Sequence, residues 1–307
     1  MSSNLSKYGT RGSALALAQS RQVARTLEAA HPSLVVEEHI IRTTGDKQQG
    51  KPLPEIGGKG VFTLEIEQAL LKGDIDFAVH SLKDLPPDLP DGLCLASIPR
   101  RAPAGDVCIL HSSVEQYSAL PQNARIGTSS LRRSAQLLHF NSGWQISDIR
   151  GNIDTRLAKL EAGDLHATLL ARAGLERLGL ELPPQRLHYF DEKGFVPAPG
   201  QGALALEARE DDERTLRLLH ALEDEATRAE TTAERATMRH LNAGCSTPLG
   251  ARAVADGETL HLWAVVLSTD GQTRLFAQAQ GVLLRAEMIG VEVAEQLLKQ
   301  GAQKLLT

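Results

Sequence analysis

Residues 78–86 read Ala78-Val79-His80-Ser81-Leu82-Lys83-Asp84-Leu85-Pro86, and the rest of the chain is arranged around them. Asp76 to Val79 predict a short buried strand, and a polar cluster that includes Asp84 follows it directly. In open α/β sheets, ligands bind beyond the carboxyl ends of the strands. The stretch therefore predicts an α/β sheet with Asp84 at its ligand-binding edge. Taken alone, it also fits a solvated turn with a weak Lys83–Asp84 surface pair.

Length and composition narrow the class of protein. The 307 residues predict two or three domains, with enough apolar residues for a sizeable core. No apolar run approaches the roughly 18 residues of a membrane span, and residues 1–7 lack the apolar stretch of a signal peptide. We therefore expect a cytoplasmic protein. A net charge of −5 disfavours general nucleic-acid binding, so any anion site must come from local arginines.

The three cysteines do not suggest a disulfide framework, because their number is odd and no secretion signal is evident. Cys94 and Cys108 lie in apolar runs and are predicted core thiols. Cys245 lies in residues 242–250, a stretch of small and turn-forming residues that presents its sulfur on a loop. Such a thiol is either incidental or a nucleophile whose thiolate form is promoted by basic neighbours.

Two pairs of sequence echoes indicate an internal repeat. Gly9-Thr10-Arg11-Gly12-Ser13 precedes a predicted helix, as does Gly127-Thr128-Ser129-Ser130, and residues 72–79 are echoed by residues 162–169. Because both echoes occur in the same order, they predict two similar α/β lobes. Two such lobes with a cleft between them resemble the fold of periplasmic binding proteins. The Pro- and Gly-containing residues 195–208 would return the chain to the first lobe.

A third region follows the two lobes. Its pattern predicts a helix from about residue 225 to 241, three strands separated by Asp256-Gly257 and Asp270-Gly271, and a helix over 286–300. This is a small C-terminal α+β domain with a three-stranded antiparallel sheet, and it carries Cys245. The predicted domains are lobe one (1–100 plus about 200–220, with Asp84), the arginine-rich lobe two (104–197) and the C-terminal domain (225–307).

Cations recur at predicted helix starts. There they oppose the helix dipole at a cost of about 0.3–1 kcal/mol each, which a bound carboxylate or phosphate would offset. Arginine suits this role because its planar fork binds a carboxylate through two hydrogen bonds. For a single arginine, a solvated or paired surface residue is the alternative, whereas the whole set predicts a ligand with several carboxylates. The set is Arg11, Lys59, Arg132, Arg133, Arg150 and Arg156.

Seven motifs occur in order along nearly the whole chain. They are Gly9-Thr10-Arg11, Lys59-Gly60-Val61-Phe62, residues 78–86, Gly127-Thr128-Ser129-Ser130-Leu131-Arg132-Arg133, Arg150-Gly151-Asn152 with Thr155-Arg156-Leu157, Pro199-Gly200-Gln201-Gly202-Ala203 and Gly244-Cys245. This series closely resembles the porphobilinogen deaminase family, also called hydroxymethylbilane synthases.

The resemblance implies a transferase of tetrapyrrole (haem) biosynthesis. Its members join four porphobilinogen units head to tail, release ammonia at each step, and free the product 1-hydroxymethylbilane with water. Cys245 matches the cysteine whose sulfur carries the family's covalent dipyrromethane primer, and Asp84 matches the catalytic carboxylate. The resemblance also implies a monomer with a small-molecule substrate, no metal, and no nucleic-acid or membrane partner.

Further site residues follow from the same resemblance. The primer would contact Ser81, Lys83, Asp84, Ser129, Arg132 and Arg133. The substrate would contact Arg11, Ser13, Lys59, Thr128, Arg150, Asn152, Arg156, Arg177 and Gln201.

Three positions depart from the family pattern. Ala243 replaces the first glycine of a Gly-Gly-Cys loop, a change that strains the backbone only if the position needs a positive φ; we expect it to be harmless. Residues 100–106 lack the usual acidic residues and Arg-Asp pair, which affects the expected interdomain contacts but not the chemistry. His166 stands where aspartate is commoner.

Two other classes of protein fit part of the pattern. A non-catalytic two-lobe binding protein for an acidic metabolite would explain the repeat and the arginines, but not Cys245, and would normally carry a secretion signal. The effector-binding part of a transcriptional regulator would need a helix-turn-helix, for which the strand-turn-helix start at Lys7 leaves no room.

Overall fold

The computed structural model describes residues 4–47, 63–244 and 247–306. The strands are β1 (Leu5–Thr10), β2 (Val35–Ile40), β3 (Phe77–Ser81), β4 (Leu93–Ser97), β5 (Asp106–Leu110), β6 (Arg125–Gly127), β7 (Gln145–Ser147), β8 (Ala167–Ala171), β9 (Leu187–Tyr189), β10 (Leu204–Arg209), β11 (Leu249–Asp256), β12 (Thr259–Leu267) and β13 (Arg274–Val282). The α-helices are α1 (Ala14–Ala30), α2 (Thr44–Lys47), α3 (Leu64–Lys72), α4 (Leu131–Phe140), α5 (Ile153–Glu161), α6 (Arg172–Leu178), α7 (Glu213–His220), α8 (Glu225–His240) and α9 (Ala286–Lys299).

The chain divides into two compact units, of which the first contains Met1–Ala102 and Ala203–Arg228. Its five-stranded sheet has the order β2-β1-β3-β10-β4. β1 is parallel to β2 and β3, whereas β10 is antiparallel to both of its neighbours. Helices α1 and α7 pack on one face of the sheet, through Leu27 and Leu219, and α3 packs on the other through Ile66 and Leu70.

The second unit contains Pro103–Gly202 and Ala229–Thr307. Its five-stranded sheet, in the order β7-β6-β8-β5-β9, repeats the arrangement of the first sheet, with β5 as the antiparallel strand. Two hydrophobic core clusters join the helices to this sheet. Leu137 of α4 belongs to one of them, and Leu160 of α5 and Leu175 of α6 belong to the other. The predicted repeat of two α/β lobes is therefore confirmed.

A separate three-stranded antiparallel sheet, in the order β11-β12-β13, also belongs to the second unit. Its turns contain Gly257 (φ 57°) and Gly271 (φ 72°), the positive φ values that glycine adopts readily. Helices α8 and α9 cover the sheet, with Ala233 and Val293 in the shared core. This confirms the predicted C-terminal fold, whereas the boundaries of a three-domain division stay a prediction.

Several local expectations are refined by the structure. Cys108 is fully buried as predicted, but Cys94 is only half-buried. Asn242 is the one non-glycine residue in the described ranges with a positive φ, 50°, and Ala243 is buried without one. The alanine at this position is therefore unstrained, as expected. His166 accepts a hydrogen bond at Nδ1 from the backbone N–H of Arg125, at 3.0 Å.

No helix in the described part of the chain is both long enough and apolar enough to span a bilayer.

Helices α8 and α9 pack closely at Gly290, which gives a test of the C-terminal core. A Cβ atom there would overlap the carbonyl oxygen of Ala233 and lie 2.7 Å from the Cβ of Ala236. We expect Gly290→Ala to lower the free energy of unfolding by about 1–3 kcal/mol, because the helices must separate. Urea unfolding measures this. Gly194→Ala is the control, since a Cβ at Gly194 meets its nearest atom at an ordinary 3.4 Å; equal losses in both variants would contradict the close packing.

Candidate functional site

In the first unit, the predicted residues follow two neighbouring parallel strands. Arg11 comes directly after β1, Ser13 caps α1, and Asp84 ends the short turn after β3. β1 and β3 pair in parallel, with Gly9 opposite Ala78, so their carboxyl ends meet at one edge of the sheet. That edge is where α/β sheets bind ligands.

Asp84 is presented by a 3₁₀ turn (Leu82–Asp84) that two buried leucines hold in place. Leu82 and Leu85 are fully buried in a cluster with Ile98. The backbone N–H of Leu82 donates to the carbonyl of Ala203 at 3.0 Å, and that of Leu85 donates to Leu82 at 3.2 Å. The side chain of Asp84 is exposed, so its carboxylate is available on a fixed support.

Polar groups on both faces of the first sheet support this turn. Ser81 is hydrogen bonded to Gln19 of α1, with Nε2 of Gln19 3.0 Å from Oγ of Ser81. On the other face, Nε2 of His80 lies 2.9 Å from Oε2 of Glu207, and both side chains are buried. Burial, opposed by a Thr63 hydrogen bond and reinforced by the charge of Glu207, raises the pKa of the nearby Glu67.

In the second unit, the predicted residues again follow parallel strands, here β6, β7 and β8. Thr128 and Ser129 follow β6, Arg150 and Asn152 follow β7, and Arg177 lies in the helix after β8. Oδ1 of Asn152 caps α5 by accepting from the N–H of Thr155 at 2.9 Å. Oγ1 of Thr128 accepts from the N–H of Ser130 at 3.2 Å, and the hydroxyl of Ser129 donates to the carbonyl of Ile149 at 2.6 Å.

Arg132 and Arg133 are buried and share one carboxylate, that of Asp106. Nη1 of Arg132 donates to Oδ2 of Asp106 at 2.7 Å, and Nη2 of Arg133 donates to Oδ1 at 2.7 Å. Burial alone would raise the pKa of Asp106, but the two guanidinium groups lower it well below its usual range. The cost of placing cations at this helix start is therefore offset by a residue of the protein, which the sequence reasoning did not identify.

Arg150 and Arg156 add two further positive charges to those of Arg132 and Arg133. Nε of Arg150 lies 2.9 Å from a carboxylate oxygen of Asp148, and Nε of Arg156 donates to the carbonyl of Gly151 at 2.9 Å. Burial lowers the pKa of Arg156, and the positive charges of Arg133 and Arg150 lower it further, against the effect of Asp148. The four arginines on α4 and around α5 thus form one positively charged region of the second unit.

Two predicted substrate contacts bind backbone carbonyl groups. Nη2 of Arg177 donates to the carbonyl of Gly202 at 2.7 Å, and burial lowers the pKa of Arg177 to about 10. Nε2 of the buried Gln201 donates to the carbonyl of Ala104 at 2.6 Å. Within the second unit, both side chains hold the Pro- and Gly-containing segment in place.

Two predicted site residues, Lys59 and Cys245, lie outside the described residues. Within the ranges that are described, no group of three or more His, Cys, Asp or Glu side chains is arranged to hold a metal ion. Sequence reasoning missed Gln19, Asp106 and Glu207. The one available signal was charge in a predicted buried strand, since Asp106 begins the apolar run of β5 and Glu207 lies within that of β10.

Comparisons with known proteins agree over the full length of the chain. Residues 7–217 match the family model "porphobilinogen deaminase, dipyromethane cofactor binding domain", and residues 228–299 match the model of the porphobilinogen deaminase C-terminal domain. The chain is 45% identical to the porphobilinogen deaminase of Syntrophotalea carbinolica over all of this chain and 96% of that one. It is 44% identical to that of Syntrophus aciditrophicus, over 98% and 97% of the two chains.

The chain is less similar to a protein of solved structure than to these relatives. The methionine-binding protein MetQ is 12% identical with a TM-score of 0.45, over 71% of this chain and 90% of that one, a similarity too low to carry a conclusion.

The depressed pKa of Asp106 predicts how stability depends on pH. Its ionised form is favoured in the folded protein, so its contribution is fully present above its unfolded pKa of about 4 and is lost as pH falls below that value. We expect Asp106→Asn to lower the free energy of unfolding by about 3–5 kcal/mol at pH 7, and the gap from the wild type to shrink between pH 4 and pH 2.

Urea unfolding across this range measures the gap, and the exposed Asp91→Asn is the control. A gap for Asp106→Asn that does not change with pH would show that the carboxylate's charge is not the source of the effect.

Proposed function

This chain belongs to the porphobilinogen deaminase family, and from that premise we propose that Cys245 carries a covalent dipyrromethane primer, with Asp84 as the catalytic carboxylate. The reaction is that of hydroxymethylbilane synthase. Four porphobilinogen molecules are condensed head to tail with loss of ammonia, and water releases 1-hydroxymethylbilane. The observation that carries the catalytic role is the exposed Asp84 carboxylate on its rigid turn at the carboxyl edge of the first sheet.

Asp84 fits the charge that the reaction develops. When porphobilinogen loses ammonia, its aminomethyl carbon becomes part of an electron-poor azafulvenium cation. A preorganised carboxylate stabilises such a cation, more strongly as water is excluded from around it. The same carboxylate can hold the pyrrole N–H and accept the proton that leaves when the new ring regains aromaticity. The burial of Leu82 and Leu85 anchors the backbone of the turn that presents this carboxylate.

The residues present in the second unit fit a primer of two pyrroles. Such a primer supplies a pyrrole carbon to which the next unit is joined, and its rings carry acetate and propionate groups. Arg132, Arg133, Arg150 and Arg156 give this region four positive charges, of which nearby protein carboxylates balance only part. The excess positive charge suits a polycarboxylate ligand.

The other predicted contacts complete the proposal. With the primer we place Ser81, Lys83, Ser129, Arg132 and Arg133, and with the substrate Arg11, Ser13, Lys59, Thr128, Arg150, Asn152, Arg156, Arg177 and Gln201. We also propose a monomer that acts in the cytoplasm, with the three domains 1–100 plus about 200–220, 104–197 and 225–307. The support for these assignments is the match of the motifs and of the chain's length to the family.

The primer is tested by the intact mass of the purified protein after incubation with porphobilinogen. We expect an excess over the bare chain equal to two linked pyrrole units, and expect Cys245→Ser to abolish it because the thioether cannot form. The matched control is Cys94→Ser, at a half-buried cysteine in β4, which should keep the full excess. A bare-chain mass for the wild type, or an unchanged excess in Cys245→Ser, would contradict the proposal.

The role of Asp84 is tested by Asp84→Asn, which keeps the size of the side chain but removes its charge. We expect kcat for porphobilinogen consumption to fall roughly 100- to 10,000-fold, with the melting temperature unchanged because the side chain is exposed. The exposed Asp91→Asn in the same unit is the control and should retain wild-type kcat. A retained kcat in Asp84→Asn would assign the catalytic carboxylate elsewhere.

A further inference from the structure

We propose that Asp106 is a positioning residue for the primer: it fixes Arg132 and Arg133 and leaves the Nε–Nη2 edge of Arg132 to grip one carboxylate. The inference rests on the proposed function in one respect, that these arginines bind the primer.

The topology of the second sheet brings Asp106 to the arginines. Asp106 is the first residue of β5, which runs antiparallel beside β8, and it pairs with Ala171 at the carboxyl end of that strand. An antiparallel strand begins where its parallel neighbours end. The carboxylate of Asp106 therefore lies at the same edge of the sheet as the start of α4, although it is 26 residues away from Arg132 along the chain.

Both oxygens of Asp106 are used in holding the pair. Oδ2 accepts from Nη1 of Arg132 at 2.7 Å, while Oδ1 accepts from Nη2 and Nε of Arg133 at 2.7 and 3.0 Å. Nε2 of Gln201 also donates to Oδ1, at 3.1 Å. The fully buried carboxylate thus orients two guanidinium groups at once.

The two arginines differ in how many of their nitrogens are occupied. All three side-chain nitrogens of Arg133 donate within the unit, because Nη1 reaches the carbonyl of Leu169 at 3.1 Å in addition to the bonds to Asp106. Arg132 donates only through Nη1, to Asp106 and, at 2.8 Å, to the carbonyl of Val196. Its Nε and Nη2 donate to no residue in the described ranges. That edge has the geometry that binds a carboxylate through two hydrogen bonds.

The surroundings of Arg132 favour an added anion. Two guanidinium groups and one carboxylate leave a net charge of +1, and the plane of Arg132 is further restrained by Phe195, whose ring centre is 5.9 Å from Cζ. Burial lowers the pKa of Arg132, against the charge of Asp106, and the charge of Arg133 lowers it further. A second carboxylate at the open edge would complete the compensation.

The alternative is that the cluster only stabilises the fold. A comparable cluster in the same unit provides the control: Nη1 of Arg252 donates to Oε2 of the buried Glu230 at 3.0 Å. Both clusters join an arginine to a buried carboxylate, but only that of Asp106 lies among the residues assigned to the primer. Loss of either carboxylate costs stability, and only the loss of Asp106 should affect the primer.

The experiment compares Asp106→Asn with Glu230→Gln, each incubated with porphobilinogen and then analysed by intact mass, thermal melting and steady-state kinetics. We expect Asp106→Asn to lose most of its primer, and the loaded fraction to show a KM raised about ten- to a hundredfold, since the arginines are displaced. Glu230→Gln should melt earlier but keep full loading and the wild-type KM. Full loading with wild-type KM in Asp106→Asn, or equal losses in both variants, overturns the proposal.

A second pair of variants decides the matter if Asp106→Asn does not fold. Arg132→Lys keeps the charge and can still bond to Asp106 but loses the two-pronged edge, whereas Arg133→Lys alters the residue whose nitrogens are all used internally. We expect Arg132→Lys to raise KM or reduce loading more than Arg133→Lys, and Arg133→Lys to lower the melting temperature more. The reverse order refutes the assignment of the edge. No effect of either variant on loading or KM would refute the proposed primer site itself.

Discussion

The structure depends on one topological constraint: each five-stranded sheet contains one antiparallel strand inserted beside its parallel strands. β10 occupies this position in the first sheet and β5 in the second. Because an antiparallel strand starts where its parallel neighbours finish, its first residues lie at the edge where α/β sheets bind ligands. In the first sheet this places the carbonyl of Ala203 where it accepts from Leu82 and secures the turn that bears Asp84. In the second sheet it places a carboxylate, Asp106, beside two arginines. One feature of chain topology thus supports both the acidic and the basic groups.

Each of the two inserted strands also carries a buried carboxylate, Asp106 in β5 and Glu207 in β10. The two carboxylates differ in how fully neighbouring groups compensate their charge. Asp106 uses both of its oxygens in short hydrogen bonds to guanidinium groups, the arrangement in which a buried ion pair is best tolerated. Glu207 lies 2.9 Å from His80, at an ion-pair distance, but neither of its oxygens has a well-aligned hydrogen bond within the described residues. A buried polar group without such a bond costs about 1–3 kcal/mol. Within the described residues, the Glu207 carboxylate beneath the Asp84 turn is therefore less fully compensated than the carboxylate of Asp106.

Most of the fold follows from patterns that are local in the sequence. The glycine-rich turns and the echo of residues 72–79 in residues 162–169 predict the paired β-strands and helices of both lobes, and Asp256-Gly257 and Asp270-Gly271 predict the turns of the C-terminal sheet. The position of Asp84 after a buried strand is likewise local. The partner of Arg132 and Arg133 is not: residue types and helix position predict that an anion is needed there, but they do not distinguish a ligand from a distant aspartate of the same chain. That distinction depends on the insertion of β5, which involves pairing between segments far apart in sequence.

The internal repeat gives both sheets the same backbone arrangement at the ligand-binding edge, but the exposed carboxylate of Asp84 is present in the first sheet alone. Residue 174 is the counterpart of Asp84 when residues 72–79 are aligned with residues 162–169, and it is a buried glycine at the start of α6. The end of β8 is already engaged by the arginine cluster, since Arg133 donates to the carbonyl of Leu169 and Asp106 pairs with Ala171. In the second sheet this edge therefore carries a carboxylate that is already committed to an ion pair with two arginines, that of Asp106. An acid held in that way could not respond to a cation that forms only during the reaction. Asp84 of the first sheet is instead exposed on its own turn with its charge available, which supports the catalytic role that we propose for it.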